Sequence, residues 1–191
     1  NFYPTMQKPN VELVTEGIER IEAGGVVSRD GKLHELDVLV LATGFRAHAW
    51  GVEQIVGRLG RTLKEAWAQG PRTYRSIMIP GFPNFFMMVG PNSPIGNISV
   101  IDVSETQADY ILACIERIRS ATGAALEPKP EAALAFQRDL KEAMKGTVWV
   151  TGCDSWYIDP EGEPTLWPWS AARFHQVMRE PDFADYQWSP S

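Results

Sequence analysis

Three short stretches hold the residue types that could do chemistry: Ala42-Thr43-Gly44, Gly90-Pro91-Asn92 and Asn97-Ile98-Ser99. None of them contains a nucleophile beside a base. His34, His48 and His175 stand apart from clustered carboxylates or thiols, and Cys114 and Cys153 are far from one another, so no metal-ligand spacing is present. Small and turn-forming residues suit a different task, because they let a backbone come close to a ligand. The first two stretches each end an apolar run of strand length, Val38–Ala42 and Phe82–Val89. In open α/β sheets ligands lie in the crevice outside the carboxyl ends of the strands. The third stretch opens a helical pattern, whose free N–H groups and partial positive charge favour an electron-rich or anionic partner.

The elements that would position these stretches can be read from periodicity. Gly17–Glu22 and Val26–Leu33 read as strands, and Asp30-Gly31 between apolar runs is a hairpin signal. Val38–Ala42 reads as a central strand buried on both faces. Asn97–Arg119 reads as a helix with Val103, Ala108, Ile111, Leu112, Ile115 and Ile118 on its apolar face and Cys114 buried there. Asp102, Glu105 and Asp109 then form a solvated side. Glu131–Lys145 is a second helix and Thr147–Val150 a short strand. Asp159-Pro-Glu-Gly is a turn, and Ser170–Arg179 a short helix before a polar tail at 176–191. Trp156, Trp167 and Trp169 read as core or interface residues in preference to cofactor contacts.

Composition bounds the partners. The 191 residues are 44% hydrophobic and 22% charged, as in a globular protein, and the 24 acidic against 18 basic residues give a net charge of −6. A nucleic-acid binder carries the opposite balance. No apolar run approaches the length of a membrane span. Two isolated cysteines fit a reducing compartment, hence a cytoplasmic protein. The absence of an initiating methionine is expected of a piece of a longer chain.

Several segments in order resemble class B flavin-dependent monooxygenases, the group of Baeyer–Villiger and flavin-containing monooxygenases. They are Phe2-Tyr-Pro-Thr-Met-Gln-Lys-Pro-Asn-Val-Glu-Leu-Val, Asp37-Val-Leu-Val-Leu-Ala-Thr-Gly-Phe and Gly60-Arg-Thr-Leu-Lys-Glu-Ala-Trp. Pro80-Gly-Phe-Pro-Asn-Phe-Phe-Met-Met-Val-Gly-Pro-Asn-Ser-Pro is the most specific, and Glu105-Thr-Gln, Cys153-Asp-Ser-Trp-Tyr and Leu166-Trp-Pro follow. The resemblance implies an α/β fold. Residues 1–175 would be the C-terminal part of the FAD-binding domain, Rossmann-like and of the glutathione-reductase type, with β-hairpin strands and peripheral helices. It implies FAD and NADPH as cofactors, with an organic small molecule and O2 as substrates. One oxygen atom would be inserted through a C4a-peroxyflavin, with a ketone favoured over nitrogen or sulfur. By the same resemblance Thr43 and Gly44 approach the cofactor, Gly90, Pro91 and Asn92 lie beside the flavin, and Asn97, Ile98 and Ser99 face its pyrimidine end. Trp156 would lie on the substrate or nicotinamide side. Neither Gly-x-Gly-x-x-Gly nucleotide fingerprint of the family occurs here, so the chain alone is expected to be inactive. The alternative is a non-catalytic partner-binding or dimerising module of the same fold, forming a homo-oligomer through exposed apolar edges.

Overall fold

The computed structural model describes residues 1–44, 51–121, 124–152, 155 and 157–190. The chain divides into two compact units, Asn1–Gly44 and Phe45–Ser191.

The first unit opens with the single-turn helix α1 (Phe2–Met6) and continues into an antiparallel sheet of β1 (Ile18–Glu22), β2 (Gly25–Ser28) and β3 (Leu33–Glu35), in the order β1-β2-β3. Asp30-Gly31 makes the expected hairpin between β2 and β3. Gly31 takes φ 85°, and Asp30 Oδ1 accepts from Ser28 Oγ and Lys32 N, so the turn is closed by side chain and backbone together. The expected central strand Val38–Ala42 is not formed. Residues 38–44 are irregular, and Val38, Val40 and Leu41 are 74, 79 and 72% exposed. A strand needs neighbours for its N–H and C=O groups, and among the described residues none pairs with this run.

The second unit contains α2 (Leu63–Ala66), α3 (Val100–Ser120), β4 (Ala124–Pro128), α4 (Pro130–Met144), α5 (Ala171–Val177) and β5 (Tyr186–Pro190). Strands β4 and β5 pair antiparallel, with Leu126 opposite Trp188 and Pro128 opposite Tyr186. The stretch read as a polar tail therefore closes the fold, because Tyr186 is buried and its neighbours satisfy the backbone of β4. Phe82–Val89 is also not a strand. Pro83 and the left-handed Asn84 (φ 58°) break it. Asn84 nonetheless imitates one ladder pair, its N donating to Leu126 O and its Oδ1 accepting from Leu126 N, both at 2.8 Å. Val148–Val150 is a 3-10 turn in place of the expected strand.

The two long helices fall where periodicity put them. Ser99 caps α3, and Pro130 occupies the first position of α4, where its missing N–H costs nothing. The buried stripe of α3 is Val103, Gln107, Tyr110 and Cys114, whereas Leu112 is 55% exposed. This stripe packs with Ile77, Met78, Leu126, Trp167, Phe174 and Tyr186 into the main core. A smaller cluster gathers Leu63, Ile79 and Phe82 under α2.

Helix α2 is short and depends on its cap. Thr62 Oγ1 accepts from Glu65 N, and Glu65 Oε2 accepts from Thr62 N at 2.8 Å. Thr62→Ala is expected to cost about 1 kcal/mol in urea unfolding, with Thr62→Ser retaining most of it. The N–H and hydroxyl of Thr62 hold the Glu65 carboxyl below the ordinary carboxylate range. The Glu65 half of the cap is therefore complete above that range and is lost as pH falls through the lowered value.

Candidate functional site

The Gly90-Pro91-Asn92 turn is buried and fastened from several sides. Asn92 takes φ 70°, a conformation its short polar side chain tolerates. Its N donates to Thr165 O at 2.8 Å. Its Oδ1 accepts from Gln137 Nε2 at 3.1 Å and lies 3.2 Å from Thr73 Oγ1, whose proton is shared with Pro91 O at 3.0 Å. Gln137 Nε2 donates also to Thr73 O. The amide oxygen of Asn92 is thus spent inward. Gly90 is required sterically, since a Cβ there would stand 2.4 Å from Ser76 O.

The start of α3 is tied to the same strap. Asn97 Nδ2 donates to Trp167 O at 3.1 Å, two residues beyond the carbonyl that holds Asn92. Ile98 leans on the core, and Ser99 Oγ accepts from Ile101 N. The structure therefore brings Gly90, Pro91, Asn92, Asn97, Ile98 and Ser99 into one unit, bound to Thr165–Trp167. The helix tip itself is open: Asn97 and Ser99 are exposed, with Val100 and Ile101 46 and 71% exposed beside them. Free N–H groups next to an apolar rim suit a flat apolar ligand with an electron-rich edge. Thr43 and Gly44 lie exposed at the end of the first unit. Trp156 lies outside the described residues, as do Cys153 and His48. Trp167 is a core residue, buried against Trp169 and Phe174.

Sequence reasoning missed the side chains that hold the turn: Thr73, Gln107 and Gln137. A signal for Gln107 exists, since it falls on the same helical stripe as Val103 and Tyr110. It missed as well a buried polar cluster around Arg75. The Arg75 guanidinium donates to Tyr110 Oη and Val177 O and lies over the rings of Tyr74 and Tyr110. Tyr74 donates to Asp185, and the hydroxyls of Tyr110 and Tyr186 meet at 2.8 Å. Burial pushes the Tyr110 hydroxyl up to about 12 and raises those of Tyr74 and Tyr186 further. Burial also pushes the Cys114 thiol up to about 11. Its reactive thiolate is therefore scarce at neutral pH. A thiol reagent is expected to leave Cys114 unmodified in the native chain at pH 7.5 and to label it fully in urea, read by peptide mapping. Elsewhere His175 Nε2 meets Asp102 at 3.2 Å on the surface, and Glu105 and Asp109 face solvent. Among the described residues no group of three or more His, Cys, Asp or Glu could hold a metal ion, and no helix is long and apolar enough to cross a membrane.

No protein-family model matches the chain. It is 47% identical over 178 residues to an uncharacterized monooxygenase of Mycobacterium tuberculosis, covering 93% of this chain and 36% of that protein. It is 38% identical to a Baeyer–Villiger monooxygenase of Streptomyces coelicolor, over 97% of this chain and 37% of that one. The closed crystal structure of cyclohexanone monooxygenase superposes on all of the chain with a TM-score of 0.79 and 31% identity, using 38% of its own length. The chain fits a fragment of a Baeyer–Villiger-type monooxygenase. An oxidized steroid monooxygenase bound to NADP matches equally, with a TM-score of 0.79 over 100% of this chain and 38% of its own. The α/β architecture of the chain thus matches part of a flavin monooxygenase structure. The chain spans just over a third of the length of the relatives it matches and carries both the Gly90-Pro91-Asn92 turn and the α3 tip.

Proposed function

We propose that this chain is the part of an FAD- and NADPH-dependent monooxygenase that walls one side of the flavin, in an enzyme that inserts one oxygen atom from O2 into a ketone. The observation that carries the reading is the match of the entire chain to cyclohexanone monooxygenase at a TM-score of 0.79. Relatives named FAD-binding monooxygenases and structures bound to NADP support the two cofactors. Residues 1–175 then belong to the C-terminal, Rossmann-like part of the FAD domain, in a cytoplasmic protein. The exposed run Val38–Leu41 supports a surface covered in the complete protein.

The residues fit such a group at the open tip of α3. Asn97, Ile98 and Ser99 would receive the pyrimidine edge, where the helix N-terminus favours the negative charge of the reduced ring. Gly90, Pro91 and Asn92 would lie beside it and act as a shaped wall, since the Asn92 side chain is engaged by Thr73 and Gln137 and its N–H by Thr165. Thr43 and Gly44 would approach the cofactor, and Trp156 would lie on the nicotinamide or substrate side. Bound FAD, reduced by NADPH, supplies the oxygen activation; this chain's residues orient it and exclude water.

The isolated 191 residues are expected to bind no FAD and to oxidise no NADPH, because they lack both glycine-rich nucleotide loops. The complete protein should purify yellow, consume NADPH in response to ketones and release esters. Stoichiometric FAD binding by the chain alone, or a colourless complete protein, contradicts the reading.

A further inference from the structure

We propose that Gln107 is a positioning residue that clamps the Gly90–Asn92 turn in a strained backbone conformation and so fixes the side of the turn turned toward the flavin. The use of the clamp rests on the flavin-side reading above. Gln107 is fully buried in the middle of α3, where an apolar residue would pack at less risk. Its amide brackets the turn: Oε1 accepts from Val89 N at 2.7 Å, and Nε2 donates to Ser93 Oγ at 3.1 Å.

The residue held this way is out of the ordinary. Val89 takes φ 52°. A β-branched side chain in the left-handed region is a true outlier, and it persists only where the surroundings over-determine it. Residues in such strain cluster at functional sites. The far end of the turn is held separately, by Asn92 N on Thr165 O. Gln107 lies eight residues along α3 from its cap Ser99, about 12 Å of rigid helix. One side chain thereby ties the turn and the helix tip to a single rod. The amide supplies an acceptor toward Val89 and a donor toward Ser93 from its two ends without burying a charge. Leucine at 107 would leave the Val89 N–H without its partner and release the strain.

The test follows the Asn92 amide by hydrogen–deuterium exchange in the chain itself. In Gln107→Leu its exchange should rise about tenfold or more as the turn relaxes. Adding Val89→Gly should return it to within about threefold of the parent, because glycine takes a positive φ without penalty. Unchanged exchange in a folded Gln107→Leu chain overturns the proposal, and so does an increase that Val89→Gly does not reverse. Should Gln107→Leu not fold, Ser93→Ala removes one half of the bracket; a partial rise in Asn92 exchange supports the clamp and no rise overturns it. In the complete protein, Gln107→Leu should lower the flavin-to-protein ratio and Val89→Gly should restore it. A flavin loss in Gly90→Ala but not in Gln107→Leu overturns the role of Gln107. No flavin loss in either variant, with Asn92 exchange still raised, upholds the clamp and overturns the flavin-side reading instead.

Discussion

Trp167→Ala is expected to lower the stability of the second unit by about 3–5 kcal/mol. Trp167 is 1% exposed and stands edge-on to Trp169 at 4.8 Å and Phe174 at 5.4 Å, with Phe136 at 6.3 Å. Removing the indole takes away the largest fully buried side chain among the described residues and leaves a cavity between α4 and α5 that these rings cannot fill without losing their own contacts. Its backbone also holds Asn97, so relaxation there would loosen the start of α3. Against a typical domain stability of about 5–15 kcal/mol, this is a large fraction of the whole. Urea unfolding followed by far-UV circular dichroism measures it without relying on tryptophan emission. Trp167→Phe should recover part of the loss by keeping an aromatic ring in place. A change under about 1 kcal/mol would mean that the core is not organised around this residue.

The second large effect is expected from Gly90→Ala. The added carbon would meet Ser76 O at 2.4 Å and Met87 Cβ at 3.3 Å. The first of these is backbone, so no side-chain rotation relieves it. The facing loop has little slack, because Arg75 and Ser76 already hold φ values of 49° and 65°. The expected cost is about 1–3 kcal/mol of overpacking. In the complete protein it should come with loss of flavin, read as the flavin-to-protein absorbance ratio. Gly146→Ala is the control, since a Cβ there meets nothing within 4 Å. Equal flavin content in the two variants would remove the turn from the cofactor site.

Where local chemistry decides, the fold was legible. Asp30-Gly31, the Ser99 cap, Pro130 at the head of α4 and the Asp159 turn each depend on groups a few residues apart. Where distant partners decide, it was not. Val38–Ala42 has the composition of a central strand, but pairing is a property of neighbours, and among the described residues it has none. Phe82–Val89 is rich in apolar residues too, yet its hydrogen bonds run from single residues to scattered partners, among them Leu126, Ile77 and Gln107. Periodicity found α3 and the Val103, Ile111, Cys114 and Ile118 part of its inward face, but it put Leu112 and Ile115 there too and passed over Gln107 and Tyr110, because it counts apolar residues. Gln107 and Tyr110 are buried there through the partners they meet from Val89, Ser93, Arg75 and Tyr186.

The amino-acid order by itself determined α3, α4 and α5, the hairpin, the small-residue turns and the likeness to flavin monooxygenases, since each is written in residues near one another in the chain. The tertiary structure alone decided that Asn92 turns its amide inward to Thr73 and Gln137, that Tyr186 closes the core, and that Gln107 grips a strained Val89. Each of those depends on a polar group finding a partner 14 to 76 residues away, and a buried hydrogen bond of that reach leaves no mark on local pattern.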